Sequence, residues 1–171
     1  MKQRTQRTKY SMSPLALSLL IILAFSSITF SNHAQLSFAQ NNTSFVNSFE
    51  KLVKNANNLS QSYHNETGKF AKGQIDNKTM IAITDNYEQK YQNFIKEAKE
   101  LQPPKEFQNA TDLYTKSLEL ELQSNNHFRD YLSTNNSTEN NLSSKLLSDS
   151  FNYELEAFKK LKASGSFTIL P

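Results

Sequence analysis

Cysteine and tryptophan are absent from this chain, and glycine occurs only three times in 171 residues. Without cysteine there is no disulfide, no thiolate-held zinc, no iron–sulfur cluster and no thiol nucleophile. Three scattered glycines cannot build a glycine-rich phosphate cradle. Histidine is equally sparse: His33 lies in the N-terminal segment, which leaves His64 and His127. A di-iron bundle needs Glu-x-x-His on two helices so that both ligands project inward. Position 61 is Gln and position 124 is Ser, so neither histidine fits, and both read as solvated polar residues. No serine sits in a Gly-x-Ser-x-Gly elbow. The sequence therefore predicts no enzyme, no cofactor and no metal.

The formal charge of +3 hides an uneven distribution. Residues 1–39 hold Lys2, Arg4, Arg7 and Lys9 and no acid, so the remainder carries 15 bases against 16 acids. A nucleic-acid protein built on net basic charge is excluded. The N-terminal segment itself reads as a secretory signal. Its basic start is followed by the 11-residue apolar run from Leu15 to Phe25, and Ser37-Phe38-Ala39 places small residues at a cut before Gln40. The run is short for a membrane span, which needs about 20 residues. A membrane role is expected only if the segment is retained as an anchor.

What is present after residue 39 is helical periodicity. Residues 40–43 form a polar leader, and Thr43 or Ser44 can cap a helix. Phe45, Phe49, Leu52, Ala56, Leu59 and Tyr63 then recur at alternating spacings of four and three, predicting a helix over about 44–64. Residues 65–75, with Gly68 and Gly73, are expected to form a loop whose Phe70 and Ile75 tuck against the bundle. Asp76 can cap a second helix on which Met80, Thr84, Tyr87, Tyr91, Phe94, Ala98 and Leu101 repeat. Pro103-Pro104 ends it, because the residue before proline is pushed out of the α region.

A third helix over about 104–132 carries Phe107, Ala110, Tyr114, Leu118, Glu121, Asn125, Phe128 and Leu132. After a polar loop at 133–140, a fourth over about 141–163 has an apolar arc covering more than half its circumference and is expected to be the most buried. Gly165 can stop it, leaving 165–171 as a tail. No window alternates with period two. The expected architecture is all-α, an antiparallel up-down-up-down four-helix bundle over 44–164.

Two groups of polar residues stand out. Glu121 and Asn125 fall one turn apart on the line from Leu118 to Phe128, so an inward face would place a carboxylate and an amide in the core. With Tyr87, Tyr91 and Tyr114 they could face a small cationic or hydrogen-bonding ligand. A slight rotation that buries Leu120 and Leu122 leaves Glu121 at the edge, which is the simpler expectation. Separately, Asn-x-Ser/Thr triplets occur at Asn41, Asn42, Asn58, Asn65, Asn77, Asn109, Asn135, Asn136 and Asn141. Composition alone predicts about three, so these nine make the chain a candidate N-glycoprotein.

Together these features suggest an exported, non-enzymatic helical bundle with a binding or structural role outside the cell or at its envelope. Its partner is unidentified, and a homodimer is one option. The alternative is a small-ligand-binding, sensor-like helical module, tethered by the N-terminal segment if that segment stays uncleaved.

Overall fold

A computed structural model describes residues 40–163, with side chains from Thr43 onward. The expected signal segment at 1–39, Gly165 and the tail lie outside the described residues. The chain folds as a four-helix bundle of α1 (Gln40–Ala71), α2 (Asn77–Glu100), α3 (Gln108–Thr134) and α4 (Ser137–Ala163), with no strand among the described residues. Short turns make successive helices antiparallel, and each packs against the next along the chain. The α3–α4 contact is the most extensive and α1–α2 the least.

The first helix runs further than its spacing pattern suggested. The polar residues at 40–43 form its first turn, and it continues through Gly68 instead of stopping near 64. A glycine inside a helix costs about 1 kcal/mol relative to alanine, not enough to end it when neighbours gain by burial. Thr67 is buried, and the Phe70 ring meets Phe128 edge-on at 6.0 Å. The helix ends instead at Ala71, and Gly73 closes it. There φ is +69°, and the amides of Gly73 and Gln74 donate to the carbonyls of Phe70 and Lys69 at 2.9 and 3.0 Å. This is a Schellman cap, which suits glycine because it has no Cβ to clash at positive φ.

The other boundaries follow local chemistry. The carboxylate of Asp76 accepts the Thr79 amide at 2.8 Å and caps α2. Pro103 and Pro104 follow the extended Leu101, and α3 begins only at Gln108, behind a turn in which the Phe107 amide donates to Pro104 O at 2.8 Å. The predicted loop at 133–140 shrinks to Asn135 and Asn136. Asn135 takes the left-handed conformation at φ 55°, which asparagine tolerates, and the Oδ1 of Asn136 accepts the Thr138 amide at 3.0 Å, so that α4 starts at Ser137.

Burial also corrects the reading of α4. The most buried helix is α3, whereas α4 leaves Leu142, Tyr153 and Leu155 exposed. The inward line of α4 is Asn140, Ser143, Leu147, Ser150, Glu154, Ala157 and Leu161, with apolar residues flanking it on both sides. Small residues on this line let α4 lie close to α3. Ser124 Oγ donates to Ser143 O at 2.8 Å, and Ser150 Oγ to Ser117 O at 2.8 Å, fixing the register.

Two apolar clusters fill the ends of the bundle. One joins Phe45, Phe49 and Leu52 of α1 to Ile95, Phe107, Tyr114, Leu118, Ala157 and Leu161. The other joins Tyr63, Met80, Phe128 and Leu132, with Phe70 and Ile75 packed against it as anticipated. Fully burying a side chain such as Phe49 contributes about 1.5–3 kcal/mol. Between the clusters lies a polar waist.

Candidate functional site

The waist is built around Glu121. On α3 the inward line Tyr114, Leu118, Glu121, Asn125, Phe128 repeats at spacings of four, three, four and three, so Glu121 is carried inside by its neighbours. Leu120 is buried and Leu122 half-buried, and Glu121 between them is half-buried, turned far enough inward for one carboxylate oxygen to be held by its neighbours. Its Oε1 accepts from Ser60 Oγ of α1 at 2.6 Å and from Tyr91 Oη of α2 at 2.5 Å. The two hydroxyl oxygens are themselves 2.8 Å apart. Three helices thus meet at one carboxylate oxygen.

Proton counting gives this triangle two states. With Glu121 ionised, two hydroxyl protons serve three close oxygen contacts. A proton on Glu121 supplies the third, and the ring can close in one direction. Burial raises the Glu121 carboxyl above its ordinary range, and the two donors pull it partly back.

A second acid stands nearby on α4. Glu154 is pushed up to about 7, first by burial and then by the charge of Glu121. Side chains lean toward the N-terminus of their own helix, so on antiparallel α3 and α4 Glu121 and Glu154 lean toward each other. Tyr114 feels both: its hydroxyl is held well above 10 by burial, then by the charges of Glu154 and Glu121. That hydroxyl is buried without a hydrogen-bond partner. On α2, Glu88 is raised by burial and then by Asp85, and its Oε1 is also buried without a partner. No lysine or arginine among the described residues is buried. Arg129, half-buried, is held by Asp85.

Of the five expected ligand-facing residues, the structure joins Tyr91 and Glu121 directly and sets Tyr114 within reach of the same charge. Asn125 is buried one turn along α3, and its Nδ2 has no partner. Tyr87 does not join them. It is half-buried, bonds Ser62 Oγ at 2.6 Å and carries Lys90 4.8 Å above its ring. Another buried tyrosine, Tyr63, bonds Thr84 Oγ1 at 3.0 Å, and Thr84 donates in turn to Met80 O at 2.9 Å.

Sequence reasoning missed Ser60 and Glu154. Both become visible when polar positions are admitted to the repeat. Ala56, Ser60, Tyr63, Thr67 and Phe70 continue the spacing of α1, and Ser150, Glu154, Ala157 and Leu161 that of α4.

The histidines depart from the solvated reading. His64 is partly buried, its Nε2 has no partner, and burial lowers it to about 4. His127 Nδ1 lies 2.6 Å from Glu139 Oε2.

The asparagines at Asn58, Asn65, Asn77, Asn109, Asn135, Asn136 and Asn141 are all exposed, whereas Asn41 and Asn42 precede the described side chains. Asn77 Nδ2 is committed to Leu132 O at 3.0 Å. No helix among the described residues is long and apolar enough to cross a membrane. The chain matches no family model, no curated protein and no solved structure in the comparisons made.

Proposed function

We propose that the chain is an exported helical bundle that acts by binding and not by turnover, outside the cell or at its envelope, with the polar waist as its binding element. The observation that supports this reading is the half-buried Glu121 carboxylate, whose charge reaches Glu154 and the unpartnered Tyr114 hydroxyl, with no buried lysine or arginine among the described residues. A buried carboxylate without a cation is costly, so a ligand bringing a positive or hydrogen-bond-donating group would relieve that cost. The ligand class is a small organic amine. Calorimetric titration with a panel of small primary and quaternary amines, against neutral isosteres, tests it. Binding of amines that is lost in Glu121→Gln supports the reading; no heat from any amine, or equal heat from the isosteres, removes it.

A second reading has its own observation. Leu142, Leu146 and Tyr153 lie along one flank of α4 and stay partly exposed, a surface on which a second copy of the chain could seat. Light scattering after size-exclusion chromatography gives a dimer mass on this reading, and a strict monomer discards it.

The exposed triplets support glycosylation of the exported chain at Asn58, Asn65, Asn109 and Asn141, where the amides are not committed to the fold. Asn77 is expected to stay bare, because modification would break its bond to Leu132. Mass spectrometry of the native protein showing unmodified asparagines throughout would remove the idea.

A further inference from the structure

At the end of the bundle where α3 turns into α4, His127, Asp130 and Glu139 come together. Each offers one donor atom, and the three atoms lie within 4.8 Å of one another. His127 and Asp130 are three residues apart on the last turns of α3, so they share a face. Glu139 approaches from the first turn of α4. We propose that these three side chains form a site for a divalent ion of the later first transition series, zinc being the probe best suited to it. The inference is independent of the ligand reading for the waist.

The mount is firm. Only Asn135 and Asn136 separate the helices, and this turn is tied by the Asn135 amide to Tyr131 O at 2.7 Å, the Thr138 amide to Asn136 Oδ1 at 3.0 Å and the Glu139 amide to Asn136 O at 3.0 Å. One turn further in, the Ser124–Ser143 contact locks the helices in register. The backbone positions of the three donors are therefore fixed, and only side-chain rotation is needed to close them. Bonds of about 2.0–2.2 Å place donors about 3–4 Å apart around one ion. His127 Nδ1 and Glu139 Oε2 already lie 2.6 Å apart.

Donor chemistry points to the kind of ion. One neutral imidazole and two carboxylates suit zinc or cobalt, whereas calcium and magnesium prefer all-oxygen shells. His127 and Glu139 are 31% and 27% exposed, so water can complete the coordination. Arg129 approaches the place without filling it. The Arg129 side chain is drawn to Asp85, with its Nη1 4.0 Å from Asp130.

The test is calorimetric titration of the untagged chain with Zn²⁺ and Co²⁺, and separately with Mg²⁺ and Ca²⁺. Expected are one equivalent of zinc bound, a rise in melting temperature on addition, and a visible cobalt spectrum of mixed nitrogen and oxygen ligation. His127→Ala and Glu139→Gln should each weaken zinc binding at least about tenfold while leaving the metal-free melting curve near that of the unaltered chain. No binding with zinc up to about 1 mM overturns the proposal, as does zinc binding that survives both substitutions. Magnesium binding as tight as zinc would overturn the assignment of ion class.

Discussion

Replacing Glu154 with Gln should stabilise the protein at alkaline pH and leave it unchanged in acid. Glu154 titrates at about 7 in the folded chain against 4.5 for the free group. Its pKa is raised, so between those values the folded state holds a proton that the unfolded state has lost. Stability therefore falls as pH climbs from about 4.5 through 7, and the penalty is complete above that. A shift of this size corresponds to about 3 kcal/mol at most, and partial exposure of the side chain reduces it to about 1–2 kcal/mol. Glutamine has the shape of the protonated acid and cannot ionise, so it removes the penalty. Thermal melts from pH 4 to 9 should give coincident midpoints near pH 4 and a gap that opens to roughly 5–10 °C at pH 8. His64 works the other way: lowered to about 4, it is neutral when folded, and its contribution is lost as pH falls from 6.5 toward 4. Because both proteins carry His64, its effect cancels in the difference. Curves for Glu154→Gln and the unaltered chain that run parallel from pH 4 to 9 would refute the buried-acid reasoning.

Tyr91→Phe removes a donor to the Glu121 carboxylate and should cost about 1.5–3 kcal/mol at pH 8 in chemical denaturation, and less at pH 5, where Glu121 holds more of its own proton. Gly68 and Gly73 should respond in opposite directions to alanine. Gly68→Ala gains about 0.5–1 kcal/mol, since the added Cβ meets nothing within 4 Å in a helix, whereas Gly73→Ala loses about 1 kcal/mol at a φ of +69°. Ser143→Leu places a large side chain where Ser124 approaches Ser143 Oγ at 3.2 Å, and should lower the melting temperature by an amount equivalent to about 1–3 kcal/mol.

The fold was legible because four segments repeat apolar residues at three and four, and the order of those segments with short links implies antiparallel neighbours. The boundaries were less legible where a single residue carried the decision. Gly68 looked like a loop marker, but whether a glycine ends a helix depends on what its neighbours bury, and Phe70 finds Phe128 only in the folded state. The width of the apolar arc on α4 misled in the same way. Hydrophobicity alone does not say that two helices prefer small residues where they approach most closely, and the serines at 143 and 150 take that inner line. In the site, Glu121 and Tyr91 could be found by periodicity. Ser60 and Glu154 also fall on the inward repeats of their helices, but each reaches the waist from a different helix, and only the packing decides which polar positions meet.

The unequal grip between helices sets an order in which the molecule comes apart. The α3–α4 hairpin is sewn together along its length, while α1 holds its neighbour α2 most loosely and its backbone does not run close against α4. Fluctuations should therefore lift α1 first, and with it Ser60, which donates to Glu121. Such breathing would bare the acid to water and to passing solutes while the hairpin stays intact, so exchange of the α1 amides with deuterium should outpace that of α3.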